Sequence, residues 1–188
     1  MGSNGQNWTP AHAFENAELE MEYSAALKEL RLERSEKIRA CQAKVREARR
    51  KRDADIARMK MDIEKRRLLL LHNIDTLKDQ RTILRQRIHD NAEANNDFNQ
   101  GELMRLTGDI DTNRHRLLEL DEERQLRTTQ CKTIYENTRD TMNNHIAQIN
   151  VNYDQKAREL REQLMATYKT NREKVEQLRI QEEGGEEV

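Results

Sequence analysis

Histidines, cysteines and a dense basic run are the groups in this sequence whose chemistry could reach beyond structure. The histidines stand at 12, 72, 89, 115 and 145. His115 and Glu119 are one helical turn apart, and folding the chain about its midpoint brings His72 opposite Glu119. On paper that gives three ligands. Metal sites in helical bundles pair Glu-x-x-His motifs on facing helices, and no such spacing occurs, so no metal is expected. Cys41 and Cys131 show neither metal spacing nor a disulfide framework, and are expected to fill space between helices as free thiols in a reducing compartment. There is no glycine-rich phosphate loop, no Gly-x-Ser-x-Gly and no close Cys/His pair. The chain is therefore expected not to be an enzyme, and to need no cofactor and no small-molecule substrate.

Two stretches point to binding. Residues 44–67 hold eleven Lys/Arg against five Asp/Glu, densest at Arg49, Arg50, Lys51 and Arg52. A basic helix can track phosphates, with Arg49, Arg50 and Lys51 as the contacts. Glu47, Asp53 and Asp55 interrupt the run, and the stretch has no aromatic residue on which bases could stack. A solvated helix face is the favoured reading, with nucleic-acid association the alternative. Arg52 is expected to face the other helix and there to snorkel or meet a carboxylate. The second stretch is Leu68-Leu69-Leu70-Leu71, which covers a whole helical turn although packing against one helix needs a single face. With Leu118 opposite, Leu68, Leu69 and Leu71 form either a thick spot in the packing between the helices or a candidate protein-interaction belt, since exposed contiguous apolar surface marks interfaces.

The elements that carry these groups follow from composition. Of 188 residues, 35% are apolar and 37% charged, against about 45–50% and about 25% in typical globular domains. Such a chain cannot fill a thick core but can fill a narrow seam. Its 34 basic residues nearly balance 35 acidic ones, and its periodicity is strong, which argues for long helices over disorder. The one Pro is at 10, and Gly101 and Gly108 are the only glycines between residues 11 and 183. Both residue types weaken helix interiors, so long uninterrupted helices are expected. Thr9-Pro10 reads as a capped helix start, with Trp8 a staple on the first turn.

At the midpoint, residues 90–101 break the pattern: seven of the twelve are Asn, Asp or Gly, types that favour turns. The expected organisation is a flexible tail at 1–9, a first long helix at 10–89, a polar turn at 90–101, a second long helix at 102–182 and an acidic flexible tail at 183–188.

The first helix carries Leu19, Tyr23, Leu27, Leu30, Ile38, Cys41, Val45, Ile56, Met59, Ile63, Leu70, Ile74, Leu77, Leu84 and Ile88 as an apolar stripe, in elevens from Cys41 through 52 and 63 to Ile74. Eleven residues in three turns keep a helix pair nearly straight or slightly right-handed. The second opens on a heptad, Leu103 to Ile134, then changes to elevens through Met142, Tyr153, Leu164 and Val175, ending at Leu178. Folding about residue 95 matches Leu84 with Leu106, Ile74 with Leu117 and Cys41 with Ile149. Arg66, Asn113, Arg124, Thr138 and Asn152 are the polar positions on this seam, fitted to set register. Residues 11–89 carry net charge +6 and residues 101–188 net −4, which favours side-by-side pairing, although each exposed pair is worth only ~0–1 kcal/mol.

The fold class read from these patterns is all-α: a long antiparallel two-helix coiled-coil hairpin with mixed heptad and eleven-residue periodicity, self-associating. In outline it resembles other coiled-coil hairpins, such as stalk proteins of secretion ATPases and the arms of prefoldin-type chaperones, in shape and periodicity alone. The function expected is a non-enzymatic structural or adaptor rod that works through protein partners, as a homo-oligomer or in a host complex. No membrane span or secretory signal is visible, and the expected location is the cytoplasm.

Overall fold

The computed structural model describes residues 10–185, with side chains from Glu15 onward. Its elements are helix α1 (Pro10–Asp90), a single 3-10 turn (Ala92–Ala94) and helix α2 (Asp97–Gly185). The described residues form an all-helical hairpin without strands. Thr9 and Trp8, proposed as cap and staple, lie outside the described residues, as does the end of the acidic tail.

The turn is tighter than its Asn and Asp content suggests. Residues 97–101 already belong to α2, which starts before the expected 102 and continues past 182. The polar residues act mainly as caps. Asn91 Oδ1 accepts from the Glu93 N–H at 3.0 Å and opens the 3-10 turn. Asn96 Oδ1 accepts from the Asn99 N–H at 2.9 Å, satisfying one of the orphan donors at the start of α2. Asp97 adds a negative charge to that positive helix end. Asn99 Nδ2 closes the corner on the Ala94 carbonyl at 2.7 Å. The side chains that disfavour helix interiors thus terminate one helix and start the next within six residues.

Contacts divide the chain into two units: α1 up to Lys44 with α2 from Asp140, and the continuous segment Val45–Arg139 containing the turn. In the first unit the helices meet along a thin line. Among the described residues here only Cys41 and Met142 are buried; Leu19, Tyr23, Leu27, Leu30 and Ile38 of α1 and Ile146, Ile149, Tyr153, Leu160, Leu164 and Tyr168 of α2 are half-buried. Tyr168 Oη donates to Glu20 at 2.9 Å, and the Arg34 guanidinium lies 4.1 Å from the centre of the Tyr153 ring. Numbers rising along α1 meet numbers falling along α2, so the helices here are antiparallel.

The second unit is packed more tightly. Met59, Ile63 and Leu120 form a buried cluster against which Ile56 and Leu70 pack, and Ile74, Leu84, Leu106, Ile110 and Tyr135 are also buried. Ile134 and Leu178, expected in the apolar stripe, are 64% and 50% exposed. At the first of these positions Tyr135 takes the inward place. Its ring offers more surface than isoleucine, and its hydroxyl reaches Arg49 at the edge. Arg66, Asn113 and Thr138 are half-buried, whereas Arg124 and Asn152, expected between the helices, are exposed. Glu123 turns inward beside Arg124, and beside Asn152 the inward place is held by Tyr153, already expected in the stripe.

Candidate interaction surface

The four consecutive leucines sit in the middle of α1, where successive side chains are about 100° apart around the axis. Only one of the four can therefore point at α2. That one is Leu70, which packs on the buried cluster. Leu68, Leu69 and Leu71 remain 57%, 60% and 37% exposed, and Leu118 on α2 is 62% exposed. Leucine over a full turn is thus not consumed by packing between the helices.

The two sides of the hairpin at this level differ. On one, Arg66 makes a forked pair with Glu123, Nη1 to Oε2 at 3.1 Å and Nη2 to Oε1 at 2.7 Å. Arg127 lies 3.2 Å from the same carboxylate and 3.6 Å from Asp62, which in turn sits 3.1 Å from Arg66. Two cations and two anions from both helices close a ring of charge. Leu69, one turn beyond Arg66, lies on this side. On the other side a shallow groove is lined by Lys60, Met61, Glu64, Arg67, Asp121 and Arg124. Leu68 and Leu71 follow Glu64 and Arg67 at four-residue spacing and so continue that side. Leu118 precedes Asp121 on α2 by three residues, about one helical turn.

The Glu123 carboxyl is held below its ordinary value, first by the hydrogen bond from Arg66 and then by the charges of Arg66 and Arg127, against the opposing cost of desolvation. The same hydrogen bond raises the Arg66 guanidinium. A carboxylate whose folded value is lowered contributes stability that is complete above its unfolded value, about 4.3, and lost as pH falls through the folded value. Glu123→Gln should therefore destabilise at pH 7, and by less at pH 3. Because the Glu123 side chain is 36% exposed, solvent screening limits the effect at pH 7 to about 1 kcal/mol. Urea midpoints of the two proteins at both pH values measure it.

The basic stretch is partly committed. Arg49 Nη2 donates to the Tyr135 hydroxyl at 3.3 Å, and Arg52 lies over the same ring, 4.4 Å from its centre. Arg52 was expected to snorkel or to meet a carboxylate of the other helix. It meets the face of a buried tyrosine instead, and its ion pair is with the adjacent Asp53 at 2.9 Å. A guanidinium stacks on an aromatic face while keeping its edges in water, which a deep ion pair would not allow. Arg50 and Lys51 are exposed and form no ion pair among the described residues. The arrangement recurs in the other unit: Arg31 Nε donates to the Tyr153 hydroxyl at 3.3 Å while Arg34 covers its ring. Arg31/Arg34 and Arg49/Arg52 are eighteen residues apart, as are Tyr135 and Tyr153. That shared spacing was the signal in the sequence for the two tyrosine–arginine clamps.

His115 Nε2 lies 3.3 Å from Glu119 Oε1, both side chains being exposed. No third residue joins them, and among the described residues no group of three potential ligands gathers anywhere. Cys41 and Cys131 are free thiols, the first buried and the second half-buried. Among the described residues no helix is long and apolar enough to cross a membrane. No family model, curated protein or solved structure matches the chain.

Proposed function

We propose that the chain is a non-enzymatic structural or adaptor protein: a coiled-coil hairpin of mixed heptad and eleven-residue periodicity that self-associates and joins other proteins in the cytoplasm. The observation that carries this reading is the leucine turn. With Leu70 already packed between the helices, Leu68, Leu69, Leu71 and Leu118 are left to water. Contiguous exposed leucine opposes solubility unless a partner covers it. The inward places at Cys41, Arg52, Ile63 and Ile74 support the eleven-residue spacing, since all four are buried or half-buried.

The test is affinity capture from native lysate with crosslinking, comparing the parent chain with a variant carrying Gln at 68, 69, 71 and 118. Proteins held by the parent and lost by the variant are the expected result. An identical set from both, with helix content unchanged, removes the belt as the docking element. The exposed, unpaired Arg50 and Lys51 favour one alternative, association with nucleic acid through residues 44–67. Binding to duplex DNA or RNA that falls steeply with salt would support it, and no binding at low salt would end it.

A further inference from the structure

Resting on the adaptor reading above, we infer that the interaction surface is one side of the Val45–Arg139 unit, not the whole belt, and that its occupant is a second copy of this chain. The side is the groove lined by Met61, Glu64, Arg67, Asp121 and Arg124, which Leu68 and Leu71 continue at four-residue spacing from Glu64 and Arg67, with Leu118 one turn before Asp121 on α2. Met61 and Leu68 are seven residues apart, two turns of helix, and both are more than half exposed, at 64% and 57%. Leu71 stands a turn beyond Leu68. The opposite side is closed by the ring of Asp62, Arg66, Glu123 and Arg127, whose charges already satisfy one another. Leu69 belongs to that closed side and takes no part.

Charge identifies the occupant. The groove interleaves the cations Lys60, Arg67 and Arg124 with the anions Glu64 and Asp121. A partner of one charge sign, such as a nucleic acid or a strongly acidic helix, would gain at three positions and be repelled at two. A surface with this mixture can be complementary to itself. Turned about a two-fold axis, a second copy sets its cations on the carboxylates of the first, and the same patch serves both partners. The leucines then bury one another, and the mixed charges fix the alignment.

Sedimentation of the full chain over a range of concentrations tests this. The parent is expected to dimerise. Leu68→Gln with Leu71→Gln should weaken the dimer about tenfold or more, as loss of apolar anchors does, while Leu69→Gln leaves it unchanged. All three positions are exposed, so the variants keep their helices, which circular dichroism verifies. A charge pair makes the test independent of the leucines. Lys60→Glu with Arg124→Glu gives one self-repelling protein and Glu64→Lys with Asp121→Lys another, and mixing them restores a dimer. A parent that stays monomeric overturns the inference. So does a dimer weakened as much by Leu69→Gln as by the paired variant, or two charge variants that fail to combine. A monomeric parent whose captured proteins are still lost on removing the belt would overturn the second-copy inference and the self-association proposed above, and leave the adaptor reading standing.

Discussion

Tyr135→Ala is expected to destabilise the chain by about 3 kcal/mol, near the low end of the cost of truncating a buried aromatic side chain. The ring is 6% exposed, and three guanidinium groups gather on it, Arg52 at 4.4 Å and Arg49 and Arg139 each at 6.0 Å from its centre. Truncation removes apolar packing and leaves these cations without the ring that covers them. Tyr135→Phe separates the two contributions. It keeps the ring and loses only the 3.3 Å hydrogen bond from Arg49, so its cost should stay near or below about 1 kcal/mol. Urea midpoints followed by circular dichroism measure both. Equal losses for Phe and Ala would mean that the hydroxyl, not the ring, holds the helices together here.

Ile110→Ala is the second large effect, about 2–3 kcal/mol, the lower part of the range for a buried isoleucine because two helices can draw together over a small void more readily than a full core can. Ile110 is fully buried, whereas Ile134 on the same helix is 64% exposed. The identical substitution at Ile134 should change stability by no more than about 0.5 kcal/mol, as surface changes do. The pair measures which line of residues faces α1. A loss at 134 matching that at 110 would mean that α2 is rotated from the orientation described above.

The arrangement of the helices was legible because it depends on where apolar and helix-breaking residues are absent as much as on where they occur. With no Pro and two glycines over the long middle of the chain, helix was the remaining option, and the cluster of Asn at 91, 95, 96 and 99 marked the corner. The extent of that corner was not legible. Asn and Asp favour turns and helix caps alike, and which role each takes depends on the geometry of the chain arriving at it. Similar ambiguity moved the inward place from Ile134 to Tyr135 and from Arg124 to Glu123. Adjacent residues differ by about 100° in direction, so a small accumulated drift in the repeat shifts the inward position by one.

The leucine turn was visible as a sequence feature, but its division was not. Leu70 packs inward, Leu69 sits beside the charged ring and Leu68 and Leu71 continue the groove side, an outcome set by the rotation of α1 and not by hydrophobicity. The ring of Asp62, Arg66, Glu123 and Arg127 was hidden for another reason. Charged residues are abundant on both helices, and only the register selects which four meet. The partnership of Arg52 with an aromatic face was missed because the aromatic residue comes from the other half of the sequence.

The spacing of partners along the chain also implies an order of assembly. Arg66 and Glu123 are separated by 57 positions, Arg34 and Tyr153 by more than a hundred, and Asn16 and Asn171 by 155. Each pairing formed near the bend shortens the loop that the next must close, so the entropy of bringing distant segments together is spent in small steps. Folding is then expected to nucleate beside the Asn-capped corner and travel outward like a closing zip, with Asn16 and Asn171 among the last to meet.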